Sequence, residues 1–259
     1  MAYQINFQWR ITKYNPAFRD DNGHYTLKEE WTCPSEIGKI IDGKEFTLDE
    51  YFRVESAYLN TVSTFLKESG LNKLRVLQLS KFDISPEEKS MALYEKAFDE
   101  LDLQEDLEVN PNEIRTICKM ILRNFGWCQL YSKGNFFVNF GWDYYMYIGS
   151  SVKCASSISF AKANGLFVED ARSPYCLTEE EIIRRIEWKE KNDEDKLIVG
   201  EEELIGIPLN EYRKLFNLSE EHPVIGSFSL TNKKAASIQK FMKHQMDFSK
   251  YEYVLWGGN

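Results

Sequence analysis

The chain has 259 residues, 43% of them hydrophobic and 28% charged, with a formal net charge of −9 and a pI near 5.1. That length holds one large domain or two small ones without covalent staples. The negative surplus argues against a general nucleic-acid binder and against anchoring to anionic membranes, because both need a basic footprint.

The opening MAYQINFQWR lacks a basic segment followed by an apolar one, so no signal peptide is expected. No window approaches the run of 18 or more apolar residues that a transmembrane helix needs. Residues 4–14 (QINFQWRITKY) alternate as a strand ended by Asn15-Pro16, and Asp20-Asp21-Asn22-Gly23 is a turn from which His24–Trp31 returns as a hairpin arm. Pro34–Gly38 starts a short helical turn. Thr47-Leu48-Asp49-Glu50 has capping-box form and opens a helix to about Lys67, closed by Gly70. Leu74–Phe82 reads as a strand. Ser85-Pro86 opens a helix over 86–101, Asp99–Glu108 is an acidic exposed stretch, and Asn110-Pro111 starts a third helix.

The run Trp127–Tyr147 (WCQLYSKGNFFVNFGWDYYMY) carries nine rings in 21 residues and reads as three strands broken near Ser132–Gly134 and Gly141. A helix over about 152–163 and a strand Leu166–Glu169 follow. Thr178-Glu179-Glu180-Glu181 is a second capping box, which predicts an amphipathic helix to about Lys191. The tract Lys189–Asp195 (KEKNDED) is the best linker by composition. Beyond it, Leu197–Val199, Glu203–Ile207, Val224–Leu230 and Tyr251–Trp256 read as strands, and Pro208–Phe216 and Asn232–His244 as helices. The mixed order of elements predicts an α+β fold, a mostly antiparallel sheet with flanking helices. Three regions are expected, 1–105, 106–192 and 193–259, which one continuous domain could also contain.

Motifs for chemistry are sparse. His24, His222 and His244 lie far apart with no ligand spacing, so no metal site is expected. Cys33, Cys118, Cys128, Cys154 and Cys176 are odd in number, widely spaced and without CxxC. They fit reduced thiols in a cytoplasmic protein. Gly38–Lys44 matches GxxxxGK, but Glu45 stands where a phosphate loop needs Ser or Thr, so we read a turn at Asp42-Gly43. No catalytic residue and no cofactor is expected. The basic pairs Arg184-Arg185 and Lys233-Lys234 read as solvated faces, too small for a nucleic-acid groove.

On an extended strand Trp142, Tyr144 and Met146 share one face, and Asp143, Tyr145 and Tyr147 the other. Both faces carry rings, so either this chain's own helices cover both or one face docks a partner. Asp143, Tyr145 and Tyr147, with Glu169 and Asp170, form the candidate interface, since Tyr and Trp bring contact area at low entropy cost.

The stretch Asn139–Pro174 (NFGWDYYMYIG…ANGLFVEDARSP) resembles small bacterial immunity-type and mobile-element proteins. In those, a Tyr-rich strand is followed by a helix and a short apolar strand ending in a carboxylate. The opening WRITKYNP…EEWT…IGK is similar to bacterial reading frames of the same sort. The resemblance implies an immunity-type protein, and the negative charge with the Tyr and Trp anchors gives the same expectation, a non-enzymatic protein that binds and neutralises another protein, a basic toxin or other effector. Two other readings remain: a carboxylate-based hydrolase of unfamiliar type, and a homo-oligomeric structural subunit.

Overall fold

The structure is a computed structural model and describes residues 5–22, 24–27, 34–41, 43–141, 145–192, 195 and 197–259. The fold is α+β, and every strand pair among the described residues is antiparallel. The chain divides into two compact units, Met1–Tyr175 and Cys176–Asn259. The region limits read from sequence, at 105 and 192, both fall inside these units.

The first unit contains β1 (Phe7–Thr12), β2 (Ile40–Ile41), β3 (Lys44–Glu45), β4 (Leu74–Lys81), β5 (Glu108–Val109), β6 (Gly126–Ser132), β7 (Phe136–Phe140), β8 (Met146–Ser150) and β9 (Phe167–Asp170). Its helices are α1 (Leu48–Glu68), α2 (Pro86–Lys89), α3 (Pro111–Leu122) and α4 (Ala155–Ala163). Seven strands form one sheet in the order β5-β4-β6-β7-β8-β1-β9. Because side chains alternate along a strand, register decides which residues share a face. One row runs Val76, Leu130, Val138, Ile148, Trp9. All five are buried, and they share a core with Tyr58 and Phe65 of α1, Ile117 of α3 and Ala161 of α4.

The helices start where capping chemistry places them. The Thr47 hydroxyl accepts the Glu50 N–H at 3.2 Å. Asn110 accepts from Asn112 and Glu113, while the Glu113 carboxylate takes the Asn110 N–H. Ile40–Ile41 pairs with Lys44–Glu45 as the β2–β3 hairpin, with Gly43 at φ +80°, and Asp42 of the expected turn lies outside the described residues.

The second unit contains β10 (Ile183–Glu190), β11 (Ile198–Glu203), β12 (Gly226–Ser229), β13 (Tyr251–Gly258), α5 (Leu209–Phe216) and α6 (Asn232–Gln239). Its four-stranded sheet has the order β11-β10-β13-β12. Ile186, Tyr253 and Leu255 of the sheet pack with Tyr212 of α5 and Ile238 of α6.

Three sequence expectations are corrected. The helix expected after Thr178 is a single 3-10 turn, Glu179–Glu181, followed by strand β10. The Glu181 carboxylate does take the Thr178 N–H. However, Ile182-Ile183-Arg184-Arg185-Ile186 supports either period, and pairing with β11 and β13 on both sides selects the strand. The helix expected over 86–101 stops after Lys89, and the chain re-forms only a 3-10 turn at Lys96–Phe98. Between them the Leu93 carbonyl and the Glu95 carboxylate both accept from Arg123, which holds that segment out of a helix. The last helix ends at Gln239 rather than His244, because the Gln239 side chain bonds the His244 carbonyl and the Met246 N–H.

Candidate functional site

Of the five residues singled out above, Asp143 lies outside the described residues. Three of the others come together. A second row of the first sheet, on the face opposite Trp9, runs Asn139, Tyr147, Arg10, Glu169. Tyr147 packs edge-on to Tyr175 at 5.9 Å. Tyr145 lies just before β8, where Tyr14 packs on it at 5.8 Å and the guanidiniums of Arg10 and Arg19 stand 5.6 and 5.5 Å from its ring centre. Asp170 does not join them. It pairs with Trp9 and so belongs to the opposite face, at the exposed end of the edge strand β9.

The Glu169 carboxylate is fully occupied. Arg10 donates to it through Nε and Nη2, both at 3.2 Å. Arg19 Nη1 reaches its two oxygens at 2.8 and 2.7 Å. Burial alone would push the Glu169 carboxyl up, but the hydrogen bonds from Arg19 and Arg10 outweigh it and hold the group below its ordinary value. Among the described residues two guanidiniums share one carboxylate beside Tyr145. The cluster is a cross-strand brace in which Glu169 is held by both arginines rather than left open. Arg19 was not legible as a member, because it lies 150 residues from Glu169 in the chain.

The carboxylates elsewhere behave as structural groups. Glu68 caps the first turn of α4 through Ser156 and Ser157, and Glu202 caps the Lys243 and His244 amides. In both, burial opposes ionisation but the hydrogen bonds prevail, so both carboxyls sit below their ordinary values. Glu95 and Asp99 are also lowered. A general acid needs the opposite shift. A cleft of about 480 Å³ in the first unit is lined by Tyr14, Tyr25, Lys44, Glu45, Glu50 and Arg53, among others. Its Glu50 pairs with Lys44 at 3.4 Å.

Cys118, Cys128 and Cys154 are buried free thiols, and burial pushes the Cys118 thiol up to about 12. His222 is enclosed, its Nδ1 accepting the Val224 N–H at 2.9 Å. His244 stacks on Trp188 at 4.0 Å and meets the Tyr253 hydroxyl. Among the described residues no group of three metal-ligating side chains gathers, and no helix is long and apolar enough to cross a membrane.

Among the described residues, three consecutive exposed aliphatics lie in the second unit. β11 is an edge strand. At its start Leu197, Ile198 and Val199 are 63%, 48% and 49% exposed, and Ile205 just beyond it is 78% exposed. Its second half is Glu201-Glu202-Glu203, of which Glu202 is committed to the Lys243 and His244 amides. A β-bulge at Trp188/Lys189 shifts the register beside Val199. Gly200 is fixed by contact, since a Cβ there would stand 2.3 Å from the Trp188 ring. The sequence signal for this surface was the apolar triplet directly after the charged tract, read above as one of two separate short strands.

Residues 183–256, from β10 to β13, match a family model described as a domain of unknown function (DUF7683). No curated protein matches the chain.

Proposed function

We propose that this protein binds and neutralises another protein, receiving a strand of that partner on the edge of β11 that no described strand pairs. The observation that carries the reading is an edge strand with three adjacent exposed aliphatic residues at one end and exposed carboxylates at the other. Such an edge presents unpaired backbone N–H and C=O groups, and proteins ordinarily blunt it with charges, Pro, a β-bulge or a cover. In β11 the charges are confined to Glu201–Glu203 and the bulge lies beside Val199, so Ile198 and Val199 stay uncharged and exposed. Strand addition satisfies the backbone, while side-chain pairing sets specificity. Covering Leu197, Ile198 and Val199, each about half exposed, contributes on the order of 3 kcal/mol beyond the backbone bonds.

The charge pattern specifies the partner. An antiparallel strand with basic residues first and apolar residues after places cations opposite Glu203, and beside Glu201, which Arg185 already meets at 3.1 Å, and aliphatics opposite Leu197–Val199. A second copy of this chain fits worse, because antiparallel self-pairing sets the carboxylates of each copy against the apolar triplet of the other. The net charge of −9 favours encounter with a basic protein. An immunity or inhibitor role is the form of activity that this surface would serve.

The test is site-specific photo-crosslinking in the native host from a benzophenone side chain at Ile198, with Val199→Pro in the same background as control. The expected result is one adduct with a basic protein, lost in the proline variant while the far-ultraviolet spectrum is unchanged. Adducts only with a second copy, or an adduct indifferent to Val199→Pro, would refute strand addition.

A further inference from the structure

We infer that the cleft between α5 and α6 is a binding site for a small soluble organic phosphate carrying two phosphate groups. The cleft has a volume of about 380 Å³ and lies wholly within the second unit. Lys214, Lys233, Lys234 and Lys240 line it, against a single carboxylate, Glu211. Its volume falls in the range of small-molecule sites.

Three observations separate this cleft from a solvated lysine face. First, the charges are poorly neutralised. Lys214 meets Glu211 only at 3.5 Å, with both side chains mostly exposed. Lys233, Lys234 and Lys240 have no ion pair among the described residues; the Lys234 and Lys240 ammonium groups instead stand 4.8 and 4.9 Å from the ring centres of Phe216 and Phe241. Secondly, Lys233 and Lys234 occupy the first turn of α6, where the helix dipole disfavours cations, and that turn holds no acidic residue. The Thr231 side chain makes no capping bond there either. Thirdly, this concentration of positive charge sits on a chain of net charge −9. A concave wall with one sign of charge focuses the field and draws in counter-ions.

The chemistry of the wall selects the ligand. Lysine binds phosphate as a mobile point charge with three donors. Four lysines around one cleft match the charge of two phosphate groups, and the Ser237 hydroxyl adds a neutral donor. Ile207, Leu215 and the half-exposed Phe241 ring supply an apolar side for the organic part. A nucleic acid fits less well, because a polymer bears many phosphates and the chain as a whole carries a net charge of −9, whereas a small ion needs only the cleft lysines.

Isothermal titration of the full-length protein with inorganic pyrophosphate at low ionic strength tests this, with AMP and a 20-nucleotide single strand as comparison arms. The proposal expects one saturable pyrophosphate site, weaker binding of AMP, and about a tenfold loss of affinity in each of Lys233→Gln and Lys234→Gln. Lys189→Gln, on β10 and outside the cleft, should leave affinity unchanged. Exposed lysines can be replaced without unfolding the unit, which a thermal melt checks. Non-saturable uptake, equal loss in Lys189→Gln, or tighter binding of the single strand than of pyrophosphate would overturn the assignment.

Discussion

Replacing Glu55 by leucine should destabilise the N-terminal unit by about 3 kcal/mol. Glu55 and Arg123 are each 5% exposed. Arg123 Nε and Nη2 donate to the Glu55 carboxylate at 2.6 and 2.8 Å, tying α1 to the end of α3. Leucine nearly preserves the volume, so the loss is electrostatic rather than a cavity. Removing one member of a buried pair costs about 3–5 kcal/mol, because it strands a desolvated charge. The lower end applies here, since Arg123 Nη1 still reaches the Leu93 carbonyl at 2.7 Å and Glu95 at 2.9 Å. Deprotonation offers no escape. An arginine guanidinium stays charged even when desolvated, and Glu95 remains beside Arg123 after Glu55 is gone. Urea titration followed by circular dichroism reads the shift in midpoint, and amide exchange places the loss in α1 and α3. The double variant Glu55→Leu/Arg123→Met removes both charges and should return to within about 1 kcal/mol of the starting protein. A single-variant loss below about 1 kcal/mol, or a double variant as unstable as the single, would refute the reasoning.

Other outcomes follow from the same geometry. The Glu169 carboxyl is lowered from 4.5 by its arginine partners, so its contribution is complete above about pH 4.5 and is lost as pH falls through the depressed folded value. Glu169→Gln should therefore flatten the acid limb of a stability–pH profile, and an unchanged limb would show the brace to be inert. Gly149→Ala would place a Cβ 2.2 Å from the buried Phe137 ring and should cost roughly 1–3 kcal/mol by thermal or urea unfolding. Cys118 and Cys128, buried with raised thiol pKa values, should resist a thiol-specific disulfide reagent in the native state and react on unfolding. Rapid native modification of either, mapped by mass spectrometry, would contradict their burial.

What was legible in the sequence was mainly local. Thr47 announces α1 because a cap and its partner lie three residues apart, and Asn110 announces α3 through the proline that follows it. The breaks at Ser132–Gly134 and Gly141 divide the aromatic run because turn residues act where they stand. The long-range choices were not legible. β10 has the capping box and charge pattern of a helix, and only its two flanking strands make it a strand. Glu169 was singled out for its carboxylate, yet its role is set by Arg10 and Arg19, which are 159 and 150 residues away. Glu169 and Asp170 are adjacent in sequence and so face opposite sides of the sheet, which register alone reveals. The cleft lysines come from two helices, and from Lys233-Lys234 by itself only a solvated face could be read.

The central claim is that β11 is the edge on which a partner strand docks. Amide hydrogen exchange on the full-length protein, alone and bound to the protein captured through Ile198, tests it most directly. Docking of a partner strand on β11 brings new protection in Leu197–Glu203, in alternate amides, with little change around Tyr145–Tyr147. Protection confined to Tyr145–Tyr147 and Glu169, with β11 exchanging as in the free protein, would contradict it.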